Sequence, residues 1–322
     1  MLEMLIFLGK QVLRESLPIV AVTHLLLPIG FILWLGLVEN KTKLNWLVKL
    51  VLFGTYLVWF LIAGRWSLIS IYLRLLLPLF FLAAVVFSYL KVQDVPFLEQ
   101  DNWISWFIAG LSFAAWLLLV LLTVITLRGY SYSGNPVKLS FPLKKGIYYV
   151  INGGSTSILN NYRANGFYQQ KKVIHSLQFA VDVEKLSVWG TNAEEIFPKE
   201  LGSYPIYSEA VYSPCAGKVI ALNNEEPDLI PPQNNWVNWN GNKVVIKHGG
   251  ILVTVSHLMN KSIRVKIGDL VKAGELIGRI GNSGLSNRPH LHIYASRNIW
   301  GDGVPLEFTG SFPVRNNLII IK

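Results

Sequence analysis

The sequence predicts two unlike parts, an N-terminal region of about four transmembrane helices and a C-terminal all-β domain. Hydrophobic residues make up 52% of the 322 positions, too many for a single water-soluble domain. The excess is concentrated before residue 128, in runs long enough to cross a bilayer. Beyond about residue 145, short β-branched and aromatic runs alternate with turn signals, the pattern of an all-β fold.

Leu17 to Val38 carries no charged residue, and Ile104 to Leu127 carries none either. Between them, Leu44 to Gly64 is interrupted only by Lys49, and Trp66 to Leu90 holds Arg74 and Pro78. Residues 1 to 16 read as a short amphipathic helix leading into the first span. Glu3 stands where a cleavable leader would be basic. Lys49 near a helix end is expected to snorkel, while His24 and Arg74 are expected to face the interior of the bundle. A transport path through these three residues is the weaker reading, because no second ionisable cluster accompanies them. Four spans place both ends of the chain on one side of the bilayer. Lys138, Lys144 and Lys145 follow the last span, which on the positive-inside rule favours the cytoplasm. That rule loses force for a large translocated domain.

These spans bound residues 1–128 as a membrane domain, residues 129–144 as a polar Gly- and Pro-containing linker, and residues 145–322 as the β domain. Residues 1–128 carry 9 basic and 6 acidic side chains, a net of +3; the remaining 20 and 13 give +7. A mildly basic domain suits a polyanionic neighbour such as cell-wall polymer or lipid headgroups. Nucleic acid is not expected as a partner, since no basic helix or aromatic RNA-binding signature is present. Cys215, the single cysteine, excludes an internal disulfide and any multi-cysteine zinc site.

Strands are expected at Gly146 to Val150, Gln178 to Val183, Lys218 to Leu222 and Lys243 to Lys247. Four more are expected at Ile251 to Ser256, Ser262 to Val265, Glu275 to Ile280 and His290 to Ala295. The Pro- and Asn-rich stretch Glu225 to Asn240 reads as a long loop. Its Trp236 and Trp239 either line a groove or pack the loop down. The densest chemistry lies in Gly281 to His292 (GNSGLSNRPHLH), a glycine-rich turn running into a His-x-His pair. On a strand His290 and His292 share one face. They can then serve one metal, or one can bind it while the other moves protons. The plainer reading is two surface histidines.

Four segments in order, YSPCAGKV (212–219), GNKVVIKHGGILVTVSH (241–257), GDLVKAGELIG (268–278) and the His-x-His motif, resemble the lysostaphin-type (LytM-like) zinc endopeptidases, family M23. The resemblance covers about residues 145 to 310. It implies a folded-over sheet of the duplicated hybrid, barrel-sandwich-like type, with one Zn2+ in an open groove, and cleavage of peptide cross-links of bacterial peptidoglycan. It further implies Asp182 and His292 as zinc ligands and His257 and His290 as the proton-handling pair; independently of it, Trp236, Trp239 and Asn282 are the candidate substrate contacts. One departure stands out. The family's usual ligand histidine, four residues before the aspartate, is Gln178 here, and the nearest alternative is His175. Seven residues is an odd spacing, so His175 reaches the metal only if residues 172 to 177 leave a regular strand. A longer spacing of this kind, and Phe179-Ala-Val-Asp182 itself, resemble a divergent branch of the family, and His175 is taken as the third ligand.

The expectation is thus a multi-pass protein of the bacterial cell membrane with its β domain on the cell-wall side. Its partners would be peptidoglycan peptide, the lipid bilayer and a membrane or cell-wall protein. The alternative is a catalytically inactive module of the same fold that binds cell wall or regulates a partner hydrolase. A lipoyl- or biotinyl-type carrier shares the GDxVxxG turn, but no lysine sits at an exposed hairpin tip in the required setting.

Overall fold

In the computed structural model residues 17–98, 103–164, 167–169, 172–299 and 301–322 are described. The amphipathic segment expected over residues 1 to 16 lies outside them. The chain divides into two compact units, Met1–Leu127 and Arg128–Lys322.

The first unit holds four helices long and apolar enough to cross a membrane, Pro18–Leu37, Lys43–Ala63, Ile71–Val92 and Trp106–Arg128. Polar residues at their ends set their limits. Thr42 accepts the Asn45 N–H at 3.2 Å and Ser70 accepts the Tyr72 N–H at 3.1 Å, each relieving one orphan donor of a first turn. The third helix therefore begins at Ile71 and not at Trp66, whose segment Trp66–Leu68 forms a 3-10 turn. His24, Arg74 and Lys49 each make contacts within the bundle. His24, buried on a π-helical segment, accepts the Arg65 N–H through Nε2 at 3.0 Å and packs edge-on against Phe60. Arg74 donates from Nε to the Leu61 carbonyl at 2.9 Å, and the Lys49 ammonium lies 5.2 Å from the centre of the Trp34 ring.

The second unit is built on strands β1 (Val137–Leu139), β2 (Gly146–Asn152), β3 (Phe167–Gln169), β4 (Lys172–Ile174), β5 (Val181–Lys185), β6 (Ala210–Tyr212), β7 (Gly217–Asn223), β8 (Asn242–His248), β9 (Ile251–Leu258), β10 (Leu270–Val271), β11 (Leu276–Arg279), β12 (Leu291–Ser296), β13 (Gly303–Val304), β14 (Leu306–Phe308) and β15 (Leu318–Ile321). The main sheet runs β10-β7-β8-β9-β12-β5-β2-β15, with β13 added beside β12. All its pairings are antiparallel. Alternation divides each central strand between two faces. Val183, Val219, Ile246, Val253, Val255 and Ile293 bury the inner face, and Val211 and Ile277 of the small β6–β11 sheet close over the same core. This is sandwich-like layering. Among the described residues the path ends at β10 and β15, with no pairing between those two strands.

Three local expectations also change. The stretch read as a linker contributes β1, which pairs in parallel with β14. Ser262 to Val265 is not a strand. Its polar groups serve β11 from the side, with Ser262 Oγ accepting the Arg279 N–H and Arg264 donating to Ile277. The strand expected to begin at Gln178 begins at Val181, because His175–Leu177 forms a 3-10 turn and a further turn follows.

Candidate metal and peptidase site

Neighbouring strands bring the site together on the outer face of the main sheet. Asp182 on β5 stands opposite His292 on β12, and His292 in turn stands opposite Ser256 on β9. His290 lies just before β12. His257 follows Ser256 directly and by alternation should point into the core. It does not, because its φ is +59°. That left-handed conformation is unusual for a residue with a Cβ, and it turns the imidazole onto the face that carries His292. The ring centroids of His257 lie 5.0 Å from His290 and 5.2 Å from His292. Each of the three imidazoles offers a ring nitrogen within 4.8 Å of the others.

Hydrogen bonds settle how two of these rings are presented. His257 Nδ1 donates to the Ser283 carbonyl at 2.8 Å and His290 Nδ1 donates to the Arg288 carbonyl at 2.8 Å. A carbonyl can only accept, so each ring carries its proton at Nδ1 and leaves an Nε2 lone pair. His290 Nε2 lies 3.6 Å from Asp182 Oδ1, and His292 Nδ1 lies 2.6 Å from the same oxygen. His292 Nε2 is buried with no partner among the described residues. An orphaned buried nitrogen costs about 1–3 kcal/mol. Three imidazoles, two of them oriented by backbone carbonyls, and one carboxylate are the donor types that zinc takes. The residues present therefore fit such an ion.

Burial of Asp182 would by itself raise its carboxyl, but His290, His292 and His257 around it hold it down to about 2. His257 is pushed well below the ordinary imidazole value, first by burial and then by the neighbouring imidazoles. Burial likewise lowers His290, against the pull of Asp182. An ionised carboxylate beside two imidazoles held neutral, His257 and His290, results, and lone pairs on neutral rings suit metal binding.

The other sequence candidates divide. His175 is exposed on its 3-10 turn and stands outside the imidazole cluster. The predicted ligand placement is corrected here, because the turn, and not a bulged strand, carries this residue to the surface. Gln178 faces elsewhere, donating to the Gly303 carbonyl at 3.3 Å. Trp239 borders a groove beside the site and packs near Tyr294, whereas Trp236 does not border that groove. Asn282 is fully buried, so it is corrected from substrate contact to anchor. Its amide donates to the Leu229 carbonyl at 2.6 Å and its N–H to Asp228 at 2.7 Å, pinning the long loop.

Two contributors escaped the sequence reading. Tyr162 brings its hydroxyl to 3.2 Å from Asp182 Oδ2 and 3.2 Å from His292 Nδ1. It is carried by the short helix Asn161–Ala164, whose Tyr162 N–H is accepted by Asn160 Oδ1. No spacing rule links residue 162 to a strand twenty residues on. Glu184 and Arg288 form a buried ion pair behind His290, with Asn192 also donating to Glu184 at 3.1 Å. Here a signal did exist, since Glu184 lies two residues beyond Asp182 on β5, and Arg288 two before His290.

Comparison with known proteins agrees with this geometry in part of the chain. Residues 204–304 match the profile of peptidase family M23, a segment that includes His257, His290 and His292 but neither Asp182 nor His175. No curated protein matches. Among solved structures, a Pseudomonas aeruginosa protein described as a peptidase M23 is 26% identical over 31% of this chain and 38% of its own, with a TM-score of 0.24. A zinc-containing peptidase from Vibrio cholerae is 23% identical over 52% of this chain and 39% of its own, with a TM-score of 0.32. The M23 metalloprotease pseudoalterin, from the deep sea, is 15% identical over 58% of this chain and 99% of its own, with a TM-score of 0.33. The chain thus spans under two fifths of the first two proteins. The likeness to peptidase family M23 is thus carried by residues 204–304 of the C-terminal domain.

Proposed function

We propose that the β domain is a zinc-dependent endopeptidase that cuts peptide cross-links of peptidoglycan, held by its four spans on the cell-wall side of a bacterial membrane. The observation that carries this reading is the buried Asp182 ringed by three imidazoles, two of which have Nδ1 tied to backbone carbonyls. Asp182 and His292 would hold the ion. His290 Nε2, 3.6 Å from the shared carboxylate oxygen, is the nearest third donor. Zinc, when bound, supplies Lewis-acid polarisation of a peptide carbonyl and acidifies water. His257, neutral and fixed by Ser283, takes up a proton at Nε2. Tyr162 holds Asp182 and His292 in place and can donate to negative charge developing beside them.

Elemental analysis of the purified full chain in detergent, paired with cleavage of a murein cross-link peptide, tests the reading. Close to one zinc per chain and a cut peptide are expected. Asp182→Ala and His292→Ala should empty the site, and His257→Ala should keep zinc and lose turnover by at least about a hundredfold. His175→Ala should keep zinc if His290 is the third donor; loss of zinc in His175→Ala and not in His290→Ala would return that role to His175. The exposed His175 favours a second reading, a wall-binding module without catalysis. A metal-free, inactive wild type that still binds cell wall would establish it.

A further inference from the structure

The face that carries His292 does not end at the imidazoles. Along β12 the same face continues to Tyr294, whose ring centroid is 5.5 Å from that of His292. Across the sheet, Tyr294 stands opposite Thr254, Thr254 opposite Val245, and Val245 opposite Ala221. This row floors a cavity of about 270 Å³ with Trp239 at its border. Its residues are almost all apolar or neutral. The exception is Lys243, which borders this cavity and also the smaller one beside it.

Three facts about Lys243 point to a ligand. It is half-buried, at a register shift in β8 between Asn242 and Val244. Among the described residues its ammonium makes no hydrogen bond and no ion pair, and burial lowers its pKa with no carboxylate to offset it. The nearby acid Glu226 is engaged elsewhere, accepting from Asn235 and Asn238. A desolvated, unpaired cation is costly to maintain, and an anion arriving in the groove removes the cost. β8 lies two strands from β12, so Lys243 sits on the order of 10 Å across the sheet from His292. An extended peptide covers that distance in roughly three residues. The flanking rings of Trp239 and Tyr294 suit a small apolar side chain between the two points.

We propose that this groove selects peptides bearing a free carboxylate, which Lys243 binds roughly three residues from the bond presented to the imidazoles. The proposal rests on the reading of this face as a peptide site, but not on turnover. The test is therefore binding. The full chain in detergent is stripped of metal with chelator and titrated with the C-terminally amidated stem peptide L-Ala-D-isoGlu-L-Lys-D-Ala-NH2, whose one free carboxylate is that of isoGlu, and with its isoglutamine analogue, following tryptophan fluorescence. The acid should bind roughly tenfold more tightly than the amide. Lys243→Met should bind both equally, and Lys243→Arg should restore the preference. Equal binding of acid and amide by the wild type, or a preference that survives Lys243→Met, would overturn it. So would no peptide binding at all, or Lys243-dependent binding of inorganic phosphate without binding of the acid peptide. An inactive protein that shows the Lys243-dependent preference would instead remove the peptidase reading and leave the groove.

Discussion

Glu184 and Arg288 show what a single buried contact does for this site. The pair lies behind His290, and the Arg288 carbonyl also takes the His290 Nδ1 proton. Glu184→Gln leaves a guanidinium buried without its counter-charge, which costs about 3 kcal/mol. Thermal unfolding of the full chain in detergent should show that loss, while Glu184→Met with Arg288→Met together should cost clearly less. Cys215 is the opposite case, a side chain held inert. Burial pushes its thiol up to about 11, so almost no thiolate exists at pH 8. Labelling by a disulfide reagent at that pH should be at least about a hundredfold slower in the native protein than in denaturant. A fast native reaction would show that Cys215 is not enclosed. Neither the ion pair nor the enclosure is a property of one residue's neighbours in sequence; each depends on strands that meet only in the folded sheet.

At the scale of elements, the site depends on turns as much as on strands. Gly241 has a φ of +58° and its α-carbon faces the Ser283 backbone and hydroxyl, with Ser283 Oγ accepting the Asn242 N–H at 2.9 Å. The same Ser283 carbonyl holds His257. Gly241→Ala adds a Cβ where the chain is left-handed and the space is filled, and should destabilise the domain by about 2 kcal/mol or more. Measured in parallel, zinc content should fall, because the carbonyl that orients His257 moves. Strand positions were largely legible: β2, β7, β8, β9, β11 and β12 fall within one or two residues of the β-branched runs that predict them. Their legibility follows from alternation, which is local. His257 entered the candidate site only through family resemblance, since alternation alone sends it to the core. The 3-10 turn at His175 was not legible, because a run rich in β-branched and apolar residues gives no sign that a one-turn helix precedes β5.

For the whole molecule, burial also links stability to pH at the alkaline end. Burial pushes Tyr204 up to about 12. Its neutral phenol is preferred in the fold, so its contribution is complete below about pH 10, where the unfolded phenol ionises. That contribution is lost as pH rises from there towards 12. Chemical denaturation of the full chain at pH 9 and pH 11 should show lower stability at pH 11, and Tyr204→Phe should shrink the difference. Four helices of 20 to 23 residues with windows buried by 28% or less in the chain itself present apolar surface that lipid would cover. On the proposed topology, protease added to intact spheroplasts should release the β domain; protection of the domain until lysis would place it in the cytoplasm.

Local order in the chain was enough to determine the four apolar helices, the change to a β domain, most of its strands and the likeness of residues 204–304 to peptidase family M23. These rest on composition, period and contiguous motifs, which short-range chemistry writes directly into the order of residues. Which polar groups meet was decided only in three dimensions. Tyr162 reaches Asp182 and His292, Glu184 backs His290 through Arg288, Lys243 faces the same groove as Tyr294, and His175 stays outside. Each of these depends on register between strands far apart in the chain, or on one backbone angle, and a sequence carries neither until the core has packed.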